Sequence, residues 1–467
     1  MGKKIARDGH SCLDCGFTSP RWFGRCPDCG GWSSTETVSV GTAGEGGPVD
    51  LGSAHEDAPR FSTGLPEVDR VTGGGFVRGA VILLAGEPGI GKSTLMLQLL
   101  DALRRGSRTS LLVSGEESLA QVALRARRLG IDAEGLPALA STSLHVLLKA
   151  AEAGSPDVLV VDSVQTLEDP DQEQPAGSVT QVRSCAAGLV RYAKRTGACV
   201  LLVGHVTKDG NVAGPKVLEH VVDTVLTIEG ERSGAFRLLR AMKNRFGSCE
   251  ETGVFTMTEH GLEAVEDPSA MFLADRRPGV EGSIVFPGLE GTRPLLMELQ
   301  SLVCDTSIPQ PRRVSTGIDP RRLALLLGVM TQRVDNDFGK KDVFVAAAGG
   351  LSVSEPAADL PLCLSLCSAW SGRAMDPSVV AFGEIGLGGE VRRVPGSERR
   401  LTEAYRLGFR TALVPSGVDR CPKGMRIIEI GELRDAFATL RLKGRPSRSP
   451  AEADEGTPVV SLVSDRT

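Results

Sequence analysis

At 467 residues, with 41% hydrophobic residues and a mean hydropathy of −0.02, the chain exceeds the usual size of one core. It has no run approaching the roughly 18 apolar residues of a membrane span, so two or three soluble domains are expected. A net charge of −5, from 53 basic and 58 acidic residues, excludes a uniformly basic surface and leaves any polyanion contact to local patches.

The N-terminus from Met1 to Arg7 is basic, but polar, cysteine-bearing sequence follows it in place of an export signal's apolar stretch. A cytoplasmic location is expected. Cys12-x2-Cys15 and Cys26-x2-Cys29, ten residues apart, are knuckles of the kind that close a tetrahedral zinc site. Four thiolates suit Zn²⁺, so short a segment has little core of its own, and a reducing cytosol disfavours disulfides. Residues 1–35 are therefore expected to form a zinc-binding module with Cys12, Cys15, Cys26 and Cys29 as ligands. The Gly/Ala/Glu/Ser mixture of 36–59 reads as a linker.

From 60 to 265, apolar runs of strand length alternate with helical patterns, the signature of a parallel α/β sheet. The runs are Val81 to Ala85, Ser110 to Val113, Val158 to Val161, Cys199 to Val203 and Val222 to Ile228. Asp267-Pro268 and Arg277-Pro278 interrupt the periodicity, so 266–278 is expected as a second linker. A second α/β unit spans 279–442, and the Pro/Ser/Glu/Asp-rich tail 443–467 is expected to be disordered. Cys363 and Cys367 stand one helical turn apart among leucines and read as core.

Gly86-Glu87-Pro88-Gly89-Ile90-Gly91-Lys92-Ser93 satisfies the G-x-x-x-x-G-K-[ST] phosphate-binding pattern, and Thr94 follows it. An apolar strand precedes the loop, and Leu95, Leu99 and Leu103 follow at helical spacing. The glycines let backbone N–H groups converge on phosphate, and the helix N-terminus adds its positive dipole. Lys92 is expected to reach the β- and γ-phosphates of ATP, and Ser93 to ligate Mg²⁺. Asp162 ends the apolar strand Val158 to Val161 and is expected to hold the same Mg²⁺, because an orphan carboxylate there is costly. Ser114-Gly115-Glu116-Glu117 ends another strand, and Glu116 or Glu117 is the candidate base, Glu117 competing with a helix-capping role. His205, ending Cys199 to Gly204, fits a site residue or a core histidine equally.

In order along the chain stand the four-cysteine module, F-S-T-G-L-P-E-V-D-R-V-T-G-G-G (Phe61 to Gly75), the phosphate loop, V-S-G-E-E-S, G-H-V-T-K-D-G (Gly204 to Gly210) and K-N-R-F-G (Lys243 to Gly247). This ordered set, from about Lys3 to Leu442, resembles the bacterial RadA/Sms DNA-repair ATPases. The resemblance implies a RecA-like P-loop core with Glu116 as the catalytic glutamate and His205 as a γ-phosphate or DNA-state sensor. It also implies that Lys243 and Arg245 link hydrolysis to DNA across a subunit interface. An ATP-driven motor is expected, moving on single-stranded DNA and promoting branch migration during recombinational repair. It would form a hexameric, nucleoid-associated ring that acts on branched DNA beside a RecA-type recombinase, away from any membrane.

Asp342-Val343-Phe344-Val345, Glu355 to Asp359 and Phe382 to Arg392 are similar to the proteolytic domain of Lon proteases. That chemistry needs a serine and a lysine. Ala357 stands in the serine's setting and Glu398 in the lysine's, so an inactive scaffold is expected and an ATP-dependent protease is the weaker alternative. A nucleotide-gated, zinc-dependent adaptor without motor activity is another. Arg232, Arg237, Arg240, Lys243 and Arg245 form a basic stretch without an acidic residue. Arg312, Arg313, Arg321, Arg322, Arg392 and Arg393 are further candidates for phosphate contact. The expected fold class is thus α/β: a RecA-like ATPase core, an N-terminal zinc-ribbon-like module and an inactive Lon-protease-like C-terminal domain.

Overall fold

A computed structural model describes residues 8–12, 18–19, 25, 35–39, 60–205, 218–230, 236–306, 308–334, 337–350, 352–418 and 420–440. The chain divides into two compact units, Met1–Ala58 and Pro59–Thr467. In the first unit, β1 (Asp8–Cys12) lies between β2 (Thr18–Ser19) and β3 (Thr35–Ser39), antiparallel to both. Cys12 ends β1; Cys15, Cys26 and Cys29 lie outside the described residues. Glu36 to Ser39, expected as linker, instead pair with Ser11 back to Asp8 as the rest of β3. The expected tail 443–467 is likewise outside the described residues.

The second unit opens with β4 (Arg60–Phe61), α1 (Pro66–Thr72) and β5 (Phe76–Val77), β4 and β5 pairing antiparallel. There follow β6 (Val81–Gly86), α2 (Lys92–Arg105), β7 (Ser110–Ser114), α3 (Leu119–Arg128), β8 (Ala138–Ala140), α4 (Leu144–Gly154), β9 (Val158–Asp162), α5 (Val179–Thr196) and β10 (Cys199–His205). Then come β11 (Thr224–Glu229), β12 (Phe236–Asn244), β13 (Thr252–Thr258) and β14 (Gly261–Ala264). Among the described residues these strands form a nine-stranded sheet in the order β14-β13-β12-β11-β6-β10-β9-β7-β8. It is parallel from β11 to β8 and antiparallel from β11 to β14.

The central strands read as unbroken apolar runs because both faces are covered. Ile82 and Leu84 of β6 pack with Leu95, Leu99 and Leu103 of α2, whereas Val81, Leu83 and Ala85 pack with Val182, Cys185 and Leu189 of α5. Alternation along one strand thus feeds two cores. Burial pushes the Cys185 thiol up to about 12, so it behaves as an apolar side chain.

A second sheet holds β15 (Ser283–Glu290), β16 (Arg293–Asp305), β17 (Arg313–Thr316), β18 (Lys341–Ala347), β19 (Val379–Ala381), β22 (Thr411–Pro415) and β23 (Arg426–Ile430), while β20 (Glu384–Ile385) and β21 (Val391–Arg392) pair apart from it. Its order is β17-β18-β16-β15-β19-β22-β23. The helix Asp359–Ser371 lies under it, with Cys363 and Cys367 buried as expected.

The expected linker 266–278 is packed structure rather than a loose tether. Asp267 caps a short helix, Pro268–Phe272, by accepting from Ala270 N at 2.9 Å, with Pro268 at the position proline favours. Phe272 is buried, and the second core takes in Leu238 and Val254 of the first sheet. Ion pairs cross the same junction. Glu67 of α1 accepts from Val254 N at 2.7 Å and from Arg293 of β16, with the two side chains only 6% and 10% exposed. Arg240 of β12 meets Glu290 of β15, and Arg406 holds Asp267 at 2.6 and 2.9 Å. Removing one partner of a buried pair strands the other charge. Arg293→Ala is therefore expected to cost about 3–5 kcal/mol in urea unfolding, and Glu67→Gln/Arg293→Met clearly less than the sum of its single changes.

Candidate active site

Strand register brings the chemistry to one edge. Gly86 lies beside His205, Val203 beside Asp162, and Asp162 beside Ser114, all at strand C-termini. In a parallel sheet this is the edge where ligands bind. The loop Gly86 to Gly91 leaves β6 there and passes into α2 at Lys92. Gly91, at φ +119, has backbone that L side chains rarely adopt, and a Cβ there would stand 2.9 Å from Met257 Cε. Pro88 and Gly89 are exposed at the tip, while Ile90 is buried beneath it.

Lys92 folds back over the loop, its Nζ donating to Gly86 O at 2.9 Å and Glu87 O at 3.0 Å. Burial draws its pKa below the ordinary lysine value, while the carboxylates of Asp162 and Glu116 oppose that shift and favour the cation. Ser93 Oγ donates to Asp162 Oδ2 at 3.1 Å. A hydroxyl and a carboxylate side by side are the hard oxygen donors that fit Mg²⁺, so these residues would hold that ion. Thr94 continues the first turn of α2.

The two adjacent glutamates separate cleanly. Glu116 accepts from Ser163 Oγ, and Ser163 directly follows Asp162. Glu117 turns away to an ion pair with Arg125 Nη2 at 2.6 Å. Capping of α3 falls to Ser118, whose side chain accepts from Gln121 N while Gln121 Oε1 accepts from Ser118 N at 2.9 Å. Glu116 is thus the carboxylate that shares the edge with Lys92. Sequence reading missed one support of the loop. Arg237, expected in a basic patch, is buried and donates from Nε to Ile90 O at 3.1 Å. Its signal was a lone arginine beside the apolar pair Leu238-Leu239 of a strand, where an exposed side chain is unexpected.

Residues 51–211 match the family described as an AAA domain, and residues 10–36 match the rubredoxin metal binding domain. Over 450 residues the chain is 45% identical to the DNA repair protein RadA of Pseudomonas aeruginosa, covering 93% of this chain and 99% of that one. It is 44% identical to the RadA of Escherichia coli over 454 residues, covering 93% and 98%, and 44% identical to that of Brucella abortus, covering 93% and 97%. The chain belongs to the RadA family.

In this RadA-family fold, Lys243 and Arg245 are not at the phosphate-loop edge. Lys243 pairs with Val225 and Asn244 with Thr224, which lies beside Ile82 near the start of β6, whereas Ile228 lies beside Gly86. Four strand residues, roughly 13 Å, separate the two edges. Lys243 Nζ donates to Val222 O at 2.8 Å and to Glu219 O, and burial lowers its pKa. Arg245, 55% exposed, reaches Asp223 Oδ1 at 3.3 Å. His205 ends β10, and its side chain lies outside the described residues, as does Arg232.

Several arginines expected to face a polyanion are already paired. Arg240 meets Glu290 and Glu229, Arg312 meets the buried Asp342, Arg322 grips the buried Asp359, and Arg392 meets Glu390. Arg313 donates to Phe338 O at 2.6 Å and Arg393 to Ser416 O at 2.8 Å. Arg321 is exposed. In the second sheet's domain the Ala357 methyl is buried, and Glu398 is 60% exposed beside Arg420. Neither position offers the nucleophile or the amine of a Ser-Lys dyad. In ATP-turnover assays Glu116→Gln is expected to lower kcat by about 10² to 10⁴-fold, while Glu117→Gln stays close to the parent.

Proposed function

We propose that this RadA-family protein is a DNA-stimulated ATPase that moves along single-stranded DNA and promotes branch migration of recombination intermediates during repair. The observation that carries the reading is the division of its site residues between two edges of one sheet. Lys92, Ser93, Asp162 and Glu116 gather at the edge that would receive ATP, and Lys243 with Arg245 stand at the other. Those two basic residues therefore act on a neighbour's nucleotide if they act on any. A closed ring, probed first as a hexamer, supplies such a neighbour at every site.

Within one site, the loop N–H groups and Lys92 hold the β- and γ-phosphates, and Glu116 takes the proton of the attacking water. The bond from the γ-phosphorus to the bridging oxygen breaks, leaving ADP and phosphate. Ser93 and Asp162 would hold Mg²⁺, which would supply charge neutralisation at the phosphates. Arg245 of an adjacent subunit stabilises the same charge in trans. Single-stranded and branched DNA is the polymer moved, and a RecA-type recombinase supplies the intermediates. The site of action is the nucleoid in the cytoplasm, and among the described residues no helix is long and apolar enough to cross a membrane.

Lys92→Ala and Arg245→Ala are each expected to abolish DNA-stimulated turnover. Mixing the two variants should restore part of it, because Arg245 of the Lys92→Ala subunit completes the intact site beside it. No recovery in mixed rings would remove the shared site. Absence of stimulation by single-stranded DNA, or of any salt dependence in it, would remove the motor reading.

Cys12, Cys15, Cys26 and Cys29 would hold one Zn²⁺, which would supply folding energy to the N-terminal module. One equivalent of zinc per chain is expected by elemental analysis, and Cys26→Ser should lose it while ATP turnover without DNA persists.

A further inference from the structure

The peptide between Ile90 and Gly91 lies in the phosphate loop, and the glycine on one side offers little resistance to its turning over. A half-turn of a peptide changes ψ of the residue before it and φ of the residue after it. Gly91 stands at φ +119, and a half-turn would carry it to negative φ, which glycine adopts as readily. Ile90 is anchored by its buried side chain and by its N–H, which donates to Glu87 O at 3.3 Å. Both anchors precede the bond that would rotate, so neither prevents the turn.

Arg237 holds the group that would move. Its Nε donates to Ile90 O at 3.1 Å, from a residue only 4% exposed. The guanidinium is itself fixed, because Nη1 donates to Phe236 O at 2.7 Å. A Cβ at Gly230 would stand 3.1 Å from Arg237 Cδ, so the arginine's stem lies against bare backbone.

The bond to the carbonyl decides where the neighbouring N–H points. In a trans peptide, C=O and the N–H that follows it face opposite ways. In the sheet order β12-β11-β6-β10-β9, Arg237 on β12 and Asp162 on β9 stand two strands from β6 on opposite sides. Leu239 and Ala241 of β12 share one core with Val158 and Val160 of β9. Alternation therefore puts Arg237 and Asp162 on the same face of the sheet, the face that α2 covers. A carbonyl held toward β12 leaves Gly91 N–H directed to the Asp162 side, where Lys92 and Ser93 also gather.

We propose that Arg237 is a positioning residue of the nucleotide site: by holding Ile90 O it aims Gly91 N–H at the phosphate groups that ADP and ATP share. With the arginine gone, the turned peptide would withdraw a donor from those phosphates and set a carbonyl oxygen against them. The proposal rests on the reading of this edge as the nucleotide site.

The test uses the full-length parent, Arg237→Met and Arg237→Lys, with ADP and the β,γ-imido analogue of ATP as probes, each with Mg²⁺. Arg237→Met is expected to raise Kd for both by about 10- to 100-fold and by nearly the same factor. KM for ATP should rise in step, while kcat at saturation stays within about threefold of the parent. Arg237→Lys, which keeps a donor, should recover at least about threefold of the lost affinity. A purely structural arginine would lower the melting point and leave the Kd of the folded protein alone. ADP binding to Arg237→Met within about twofold of the parent therefore overturns the proposal. So does a loss confined to the imido analogue or to kcat, or an Arg237→Lys no tighter than Arg237→Met. If Arg237→Met does not fold, amide exchange in the parent decides: ADP should slow the Gly91 amide at least about tenfold, and no slowing overturns the assignment. A parent that binds both nucleotides but turns over no ATP fails the hydrolysis reading, while the Kd comparison still judges Arg237. A parent that binds neither overturns both.

Discussion

The parallel pairing of β6, β10, β9 and β7 is the constraint on which the site depends. The middle of each strand is apolar because it is buried on both faces, and Gly86, His205, Asp162 and Ser114 stand where the strands leave the sheet. Register then determines which of those residues meet. Gly86 is level with His205 and Ser114 with Asp162, and the ladders set these two pairs two residues apart along the strands. A one-residue slip of β9 would send Asp162 to the other face and break its contact with Ser93.

The antiparallel end of the same sheet serves a different purpose. It carries Leu238 and Val254 into the core of the second sheet, Arg240 crosses the junction to Glu290, and the Thr252 carbonyl accepts from Arg293. The C-terminal domain is therefore joined to the first sheet by shared apolar packing and by ion pairs. A domain without a Ser-Lys dyad retains a structural reason for its position: it covers surface that the first sheet would otherwise expose.

Much of this was legible in the sequence. The phosphate loop and Asp162 stood out because phosphate and Mg²⁺ dictate residue types at fixed spacing. Other features depend on partners far along the chain. Glu116 and Glu117 look alike until Arg125, one helix onward, claims Glu117. Arg240 looks unopposed until Glu290 arrives from another strand. The segment 266–278 reads as a break because prolines interrupt its period, yet Asp-Pro is also how a helix begins. Ser39 reads as linker because a short polar strand leaves little trace without its partner β1.

Asp223 has a consequence for how a shared site could work. The carboxylate is nearly buried, holds Val81 N at 3.0 Å, and is neutralised by two cations, Lys194 at 2.9 Å and Arg245 at 3.3 Å. A phosphate on an adjacent molecule that attracts Arg245 must compete with Asp223 for it. The closer lysine stays behind as counter-ion, so the loan of the guanidinium leaves no bare charge at the root of β6. Asp223 can release one cation and remain neutralised by the other.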